Sequence, residues 1–338
     1  MWRCISLRRS HESSPARSCR WIAGRRCVEW WSWVRLEGAQ ARPSAGGQTM
    51  KVSVVGVGEM GAPMARRLMA AGFTVTACDR SQAALAAFAA EGARTTHEPA
   101  SCAGDDVVLV VVNTAAQLRE VLTGPHGLTF SVVSPGPVVV VMSTVAASAV
   151  REMDGIVRAA GARLVDAPVS GGDARAAAGS LTVMVGGRPE DVAIAVPVLS
   201  HLASHVFHCG SVGAGENVKI LNNAIGTLNA LVTAEVARIA IDCGVELDQL
   251  ANVLEVSTGR NFLSTSGSAL HRHFERYGHS REVFHSAMAL YAKDAVLAAE
   301  LAASVQGDFP VIDALARLAR GNDDKAFETW RAIADAEV

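Results

Sequence analysis

An apolar, β-branched run, Lys51-Val52-Ser53-Val54-Val55, leads directly into Gly56-Val57-Gly58-Glu59-Met60-Gly61, and no other stretch of the 338-residue chain limits its fold so tightly. The spacing predicts a strand, a G-x-G-x-x-G turn and a helix over residues 62–71, with Pro63 tolerated in the first turn. Gly56 suits the tight turn, Gly58 leaves room for a pyrophosphate, and Gly61 permits close helix-to-strand packing. The helix would point its unpaired N–H groups and positive dipole end at the phosphates. A second strand over residues 73–78 ends at Asp79, 18 residues beyond Gly61. A carboxylate there accepts hydrogen bonds from the adenosine ribose and repels a 2′-phosphate. A bare glycine pattern is a common accident, but strand, helix, second strand and terminal Asp in register point to dinucleotide binding.

Arg80 complicates the choice of dinucleotide, since it can clamp a 2′-phosphate, stack on the adenine or lie in solvent. Asp79 favours NAD and Arg80 favours NADP, and the expectation is NAD, with NADP possible.

Further along, helical and apolar segments alternate: helices over 82–90, 115–122 and 145–160, and strands over 106–112, 138–141 and 163–165. This repetition predicts a parallel, doubly wound sheet whose ligands lie beyond the carboxyl ends of the strands. Those ends carry Asn113-Thr114, Ser143-Thr144 and Ala167-Pro168-Val169-Ser170-Gly171-Gly172. Ser143-Thr144 equally suits a helix cap. Ser170-Gly171-Gly172 can be an ordinary loop or a backbone nest for a carboxylate. A strand over 181–185, a helix over 191–199 and a strand over 205–208 complete the α/β domain, after which apolar residues recur only at helical spacing. The expected division is a Rossmann-type domain over 50–212 and an all-helical domain over 213–338.

Lys219 and Asn223 fall in a proline-free segment predicted to be one long helix over 215–242, where positions i and i+4 share a face. An ammonium can exchange a proton with a hydroxyl or carbonyl oxygen, and an amide can hold that oxygen in place. Asn222 flanks them. Alone, the pair reads as a solvated helix face; a dinucleotide fingerprint upstream gives it meaning. Lys293-Asp294, within a helical pattern over 287–304, reads as a surface pair on its own.

Composition removes several classes of function. A net charge of −2, with no basic cluster interleaved with aromatics in the body, offers nothing to nucleic acid. No apolar run reaches the ~18–20 residues of a membrane span, so no membrane partner is expected. Cys78, Cys102, Cys209 and Cys243 are scattered without a C-x-x-C pair, and His201, His205 and His208 read as surface residues. No metal is expected, and a reducing compartment fits. Residues 1–49 hold nine arginines, no lysine and five of the six tryptophans. They are expected to be a disordered tail outside the fold, from a start codon set too early or from a transit peptide. The corresponding locations are cytoplasmic or the mitochondrial matrix.

Together these motifs resemble the β-hydroxyacid dehydrogenase family, which includes 3-hydroxyisobutyrate dehydrogenase and tartronate semialdehyde reductase. The resemblance is carried by Gly56–Gly61 with Met64-Ala65; by Asp166-Ala167-Pro168-Val169-Ser170-Gly171-Gly172 with Gly179-Ser180-Leu181-Thr182; by Gly213-Ala214-Gly215 leading to Lys219 and Asn223; and by Lys293-Asp294. It implies that Lys219 is the acid/base residue and that Asn223 orients the substrate with help from Asn222. It implies that Ser170, Gly171 and Gly172 bind the substrate carboxylate, and that Val112, Asn113, Thr144 and Lys293 contact the cofactor near its nicotinamide. The activity implied is hydride transfer between NAD(P) and a short 3-hydroxy acid such as 3-hydroxyisobutyrate, by a homodimer or homotetramer. The alternatives are a tartronate semialdehyde (2-hydroxy-3-oxopropionate) reductase and, in a different class, a non-catalytic dinucleotide-binding module. Two departures stand out: Val112-Asn113 lacks the Leu-Pro of many members, and Asp79-Arg80 mixes NAD and NADP signals. The 6-phosphogluconate dehydrogenases resemble the same plan but place His-Asn where Asn222-Asn223 stand, and imine reductases replace the lysine. His271, Arg272, His273, Arg276, Arg281 and His285 crowd one region, expected to be a solvated polar loop or a grip on a second anionic group.

Overall fold

The computed structural model describes residues 49–321 and 324–336, without the side chains at 267 and 268. The tail expected over 1–49 falls, except for its last position, outside the described residues.

The apolar runs become a nine-stranded sheet. Strands β1 (Lys51–Val55), β2 (Thr74–Cys78), β3 (Arg94–Thr96), β4 (Val107–Val110), β5 (Val138–Val141) and β6 (Arg163–Asp166) are parallel, in the order β3-β2-β1-β4-β5-β6. Every residue of β4 and β5 is buried, as a sheet covered on both faces requires. Alternation along β5 splits its valines between two cores. Val138 and Val140 pack with Met64 and Leu68 of α1 (Gly61–Ala70) and Val198 and Leu202 of α6 (Pro189–Leu202). Val139 and Val141 pack with Leu118 and Leu122 of α3 (Ala115–Thr123) and Val150 and Met153 of α4 (Ala147–Ala159). Helix α2 (Gln82–Ala90) leads into β3. The chain then crosses to the other side of β1, so the order reverses between β1 and β4, the position where such sheets bind ligands.

At its far end the sheet departs from parallel pairing. β8 (Leu181–Gly186) runs antiparallel to β6 and to the two-residue β7 (Val169–Ser170), while β9 (Ala203–Gly210) runs parallel to β8. Between β7 and β8 lies α5 (Gly172–Ala178), so Ser170-Gly171-Gly172 is a strand-to-helix junction rather than a loop. His205 and His208 both fall on β9, and the His208 ring is bonded to the Gly187 carbonyl.

After β9 the described chain is helical: α7 (Ala214–Asp242), α8 (Leu247–Glu255), α9 (Gly267–Gly278), α10 (Arg281–Ala303), α11 (Pro310–Arg320) and α12 (Asp324–Ala334). By length and composition α7 could cross a membrane, contrary to the expectation that no run is long enough, because polar residues punctuate its apolar stretch. It packs instead against β8, α10 and α12 and buries Glu216, Lys219, Thr227 and Thr233. A separate core among the helices gathers Phe274, Phe284, Phe327 and Trp330.

One carboxylate fixes where α7 begins. Asp166, fully buried at the end of β6, accepts hydrogen bonds from the Gly213 N–H (2.7 Å) and the Glu216 N–H (2.9 Å), two of the donors a helix start leaves unpaired. A Cβ on Gly215 would stand 2.2 Å from the Met184 carbonyl oxygen, so only glycine lets the helix start this close to β8.

Candidate active site

A cavity of about 810 Å³ runs along the carboxyl ends of β1, β2, β4 and β5 and closes against α7 and α10. Of the residues expected from the sequence, Gly56, Gly58, Glu59, Met60, Gly61, Asp79, Arg80, Val112, Asn113, Thr144, Ser170, Gly171, Gly172, Lys219, Asn223 and Lys293 line it together. Two stand off the wall. The Val57 side chain is buried in the core, and Asn222 is exposed beside it, donating to the Asn223 amide oxygen at 3.2 Å.

At one end, the glycine turn is held by the second strand. Asp79 accepts the Val57 N–H at 2.9 Å and the Ser81 N–H at 2.8 Å, so its carboxylate is anchored facing the turn. A Cβ on Gly61 would lie 1.9 Å from the Gly56 carbonyl oxygen, whereas a Cβ on Gly58 would meet nothing within 4 Å. The turn is packed from behind and open in front, which is the shape a pyrophosphate needs. Arg80 turns away from Asp79 toward Glu120 on α3, and the His97 ring bonds the Asp79 carbonyl oxygen and Gln82.

At the other end, Lys219 is 8% exposed and donates to the Asn223 amide oxygen at 2.8 Å. Asn223 in turn donates to Asp294 at 2.8 Å. Lys293, 3.4 Å from the other Asp294 oxygen, donates to the Thr144 carbonyl oxygen at 3.1 Å, which joins α7, α10 and the end of β5. Burial lowers the Lys219 pKa below the ordinary lysine value, and attraction to Asp294 recovers only part of that. One turn earlier, Glu216 is fully buried with one oxygen unpartnered and the other accepting the Val145 N–H at 3.3 Å. Burial pushes its carboxyl well above the usual range, and the nearby charge of Asp166 adds to this.

Sequence reasoning missed three of these groups. Asp294 was visible beside Lys293, yet nothing in the sequence connects it to Asn223, 71 positions away. Asp166 opens the Asp-Ala-Pro-Val-Ser-Gly-Gly motif with no role implied for it, and nothing in the sequence singles out Glu216 in the first turn of α7. The crowded region 271–285 is corrected more fully. It is helical rather than a loop, spanning most of α9 and the start of α10. His273 packs among Phe262, Phe274, Tyr277 and Trp330, and Tyr291 lies 3.3 Å from its Nε2. Arg281 pairs with Asp324 and Glu328, and Arg276 reaches Asp173 and Glu59 at 3.5 and 3.8 Å.

A glycine turn, a carboxylate anchored beside it at the end of the second strand and a buried lysine in one cleft fit an NAD(P)-dependent oxidoreductase. Comparison with known proteins gives the family. Residues 51–210 match the NAD-binding domain of 6-phosphogluconate dehydrogenase, and residues 213–328 match the NAD-binding region of NADP-dependent 3-hydroxyisobutyrate dehydrogenase. The chain is 35% identical to 2-(hydroxymethyl)glutarate dehydrogenase of Eubacterium barkeri, over 64% of its own length and 71% of that protein. It is 33% identical to the NAD-dependent L-serine dehydrogenase of Pseudomonas aeruginosa, over 77% and 88%. Among solved structures, 3-hydroxyisobutyrate dehydrogenase of Mycobacterium tuberculosis with L-serine aligns with a TM-score of 0.72 at 27% identity, covering 86% of this chain and all of that one. The chain belongs to the β-hydroxyacid dehydrogenase family.

Proposed function

We propose that the protein catalyses reversible oxidation at C3 of a short 3-hydroxy acid with a small 2-substituent, with NAD preferred over NADP. The observation that carries this is the Lys219–Asn223–Asp294 chain of hydrogen bonds in the wall of the cavity that holds the glycine turn. When bound, the nicotinamide takes or supplies the hydride. In oxidation the Lys219 amine takes the hydroxyl proton, and in reduction its ammonium gives a proton to the developing alkoxide. Asn223 holds Lys219, and Asp294 keeps the Asn223 oxygen turned toward it. Ser170 and the N–H groups of Gly171 and Gly172 hold the substrate carboxylate, leaving C3 beside Lys219.

A small 2-substituent is supported by two of the similar proteins, an L-serine dehydrogenase and a solved structure that holds L-serine, although 2-(hydroxymethyl)glutarate, which names a third, carries a larger one. The NAD preference rests on Asp79, anchored where the adenosine ribose would lie. The deciding experiment follows absorbance at 340 nm with NAD or NADP against 3-hydroxyisobutyrate, L-serine, glycerate, 4-hydroxybutyrate, threonate and 6-phosphogluconate. Turnover is expected with the first two, at higher kcat/KM with NAD. Turnover of none would favour the non-catalytic binding module.

Homo-oligomer assembly is part of the same proposal. Leu221, Ile225, Val232, Val236 and Ile239 fall on one face of α7 and are all more than a third exposed, a row suited to a second copy. Light scattering at micromolar concentration should give at least twice the monomer mass; a monomer contradicts this.

A further inference from the structure

The adenosine end of the cavity holds a charge arrangement not visible in the motifs. Asp79 is committed to two backbone N–H groups, so its carboxylate stays fixed toward the glycine turn. Arg80, the next residue, is the cation that could receive a 2′-phosphate. Its guanidinium instead lies over Glu120, 3.4 Å from both carboxylate oxygens. Glu120 stands near the carboxyl end of α3 and lines the same cavity as Asp79, Arg80, His97 and His126. Two carboxylates on different elements therefore flank the only arginine among the described residues lining this cavity.

We propose that Glu120 is a specificity-determining residue for the cofactor, drawing Arg80 onto α3 and so withholding it from a 2′-phosphate. Glu120 has this role only if the cavity is a dinucleotide site, and it lies away from the Lys219 end. The ion pair is exposed on both sides, 74% and 58%, so it is weak and Arg80 can leave it. A phosphate that recruits Arg80 must then lie near the charge of Glu120 as well as that of Asp79, and like charges at that range oppose binding. A sequence read as Asp-Arg, balanced between the two cofactors, becomes an NAD site because a third residue neutralises the arginine.

Calorimetric titration of the full-length protein with 5′-AMP and with adenosine 2′,5′-bisphosphate tests this without turnover or substrate. Glu120→Gln, on an exposed helix face, should tighten the bisphosphate roughly threefold to tenfold and leave 5′-AMP within about twofold, on the scale of exposed charge pairs. Arg80→Ala should change bisphosphate binding by less than about twofold in the wild type, yet abolish the gain in the Glu120→Gln background. That non-additivity is the signature of Glu120 acting through Arg80. An unchanged preference in Glu120→Gln overturns the proposal. So does a loss of about tenfold or more for the bisphosphate in Arg80→Ala alone, since Arg80 would then already serve the phosphate. If neither nucleotide binds, the dinucleotide reading fails and the proposal fails with it.

Discussion

The Lys219 pKa lies below the ordinary lysine value because of where its side chain ends, not because of its residue type. Burial disfavours the ammonium, Asp294 favours it, and burial prevails. The sequence showed the lysine and its amide partner, since both lie on one helix at i and i+4. It could not show Asp294, which reaches Asn223 from α10. Asp294 thus has two separable effects, one on the orientation of Asn223 and one on the charge of Lys219. Asp294→Asn keeps a side chain able to accept from Asn223 but removes an anion that favours the ammonium. The Lys219 pKa should fall further, moving the rising limb of the pH–kcat profile for oxidation to lower pH. An unmoved limb would mean that Asp294 does not act on Lys219.

Among the elements, those whose reason is local were legible and those decided by tertiary packing were not. The β1 run, the glycine turn and α1 declare themselves through apolar patterning and glycine spacing. β3 and β7 are short strands stabilised by their neighbours, and α5 begins inside a glycine pair that reads as loop. Region 271–285 misled for a different reason. Arg272, Glu275 and Arg276 decorate the outer face of α9, and their charges obscure the inward Leu270 and Phe274, which are fully buried. The glycine turn can be tested at two positions with opposite expectations. Gly61→Ala drives a methyl into the Gly56 carbonyl and should destabilise the fold by about 1–3 kcal/mol. Gly58→Ala projects into open space, so its Tm should match the wild type while its affinity for NADH falls. Equal effects from the two would contradict the assignment of front and back.

At the scale of the molecule, Asp166 ties the sheet to the start of α7, so the Lys219 end of the cleft depends on both the sheet and the helices that follow it. In the helical half, one buried histidine predicts a sensitivity to acid. His273, enclosed by aromatic rings, has its pKa pushed down to about 4 by burial, with the Arg276 charge adding to the effect. The unfolded chain binds a proton near the ordinary histidine pKa of about 6.5, while the folded chain does not until about 4. The stability from the neutral ring is therefore complete above about 6.5 and is lost as pH falls through that window. His273→Gln should narrow the Tm difference between pH 7 and pH 4.5 measured by circular dichroism; an unchanged difference would place the acid sensitivity elsewhere.

The central claim is that Lys219 handles the proton while the rest of the cleft binds. Its most direct test measures kcat and the NADH dissociation constant side by side for wild type and Lys219→Ala, with the substrate that the 340 nm screen selects. The expected result is a fall in kcat of ~10²–10⁴ with NADH affinity unchanged, as for loss of a general acid–base group. Near-normal turnover in Lys219→Ala, with NADH still bound, would contradict it.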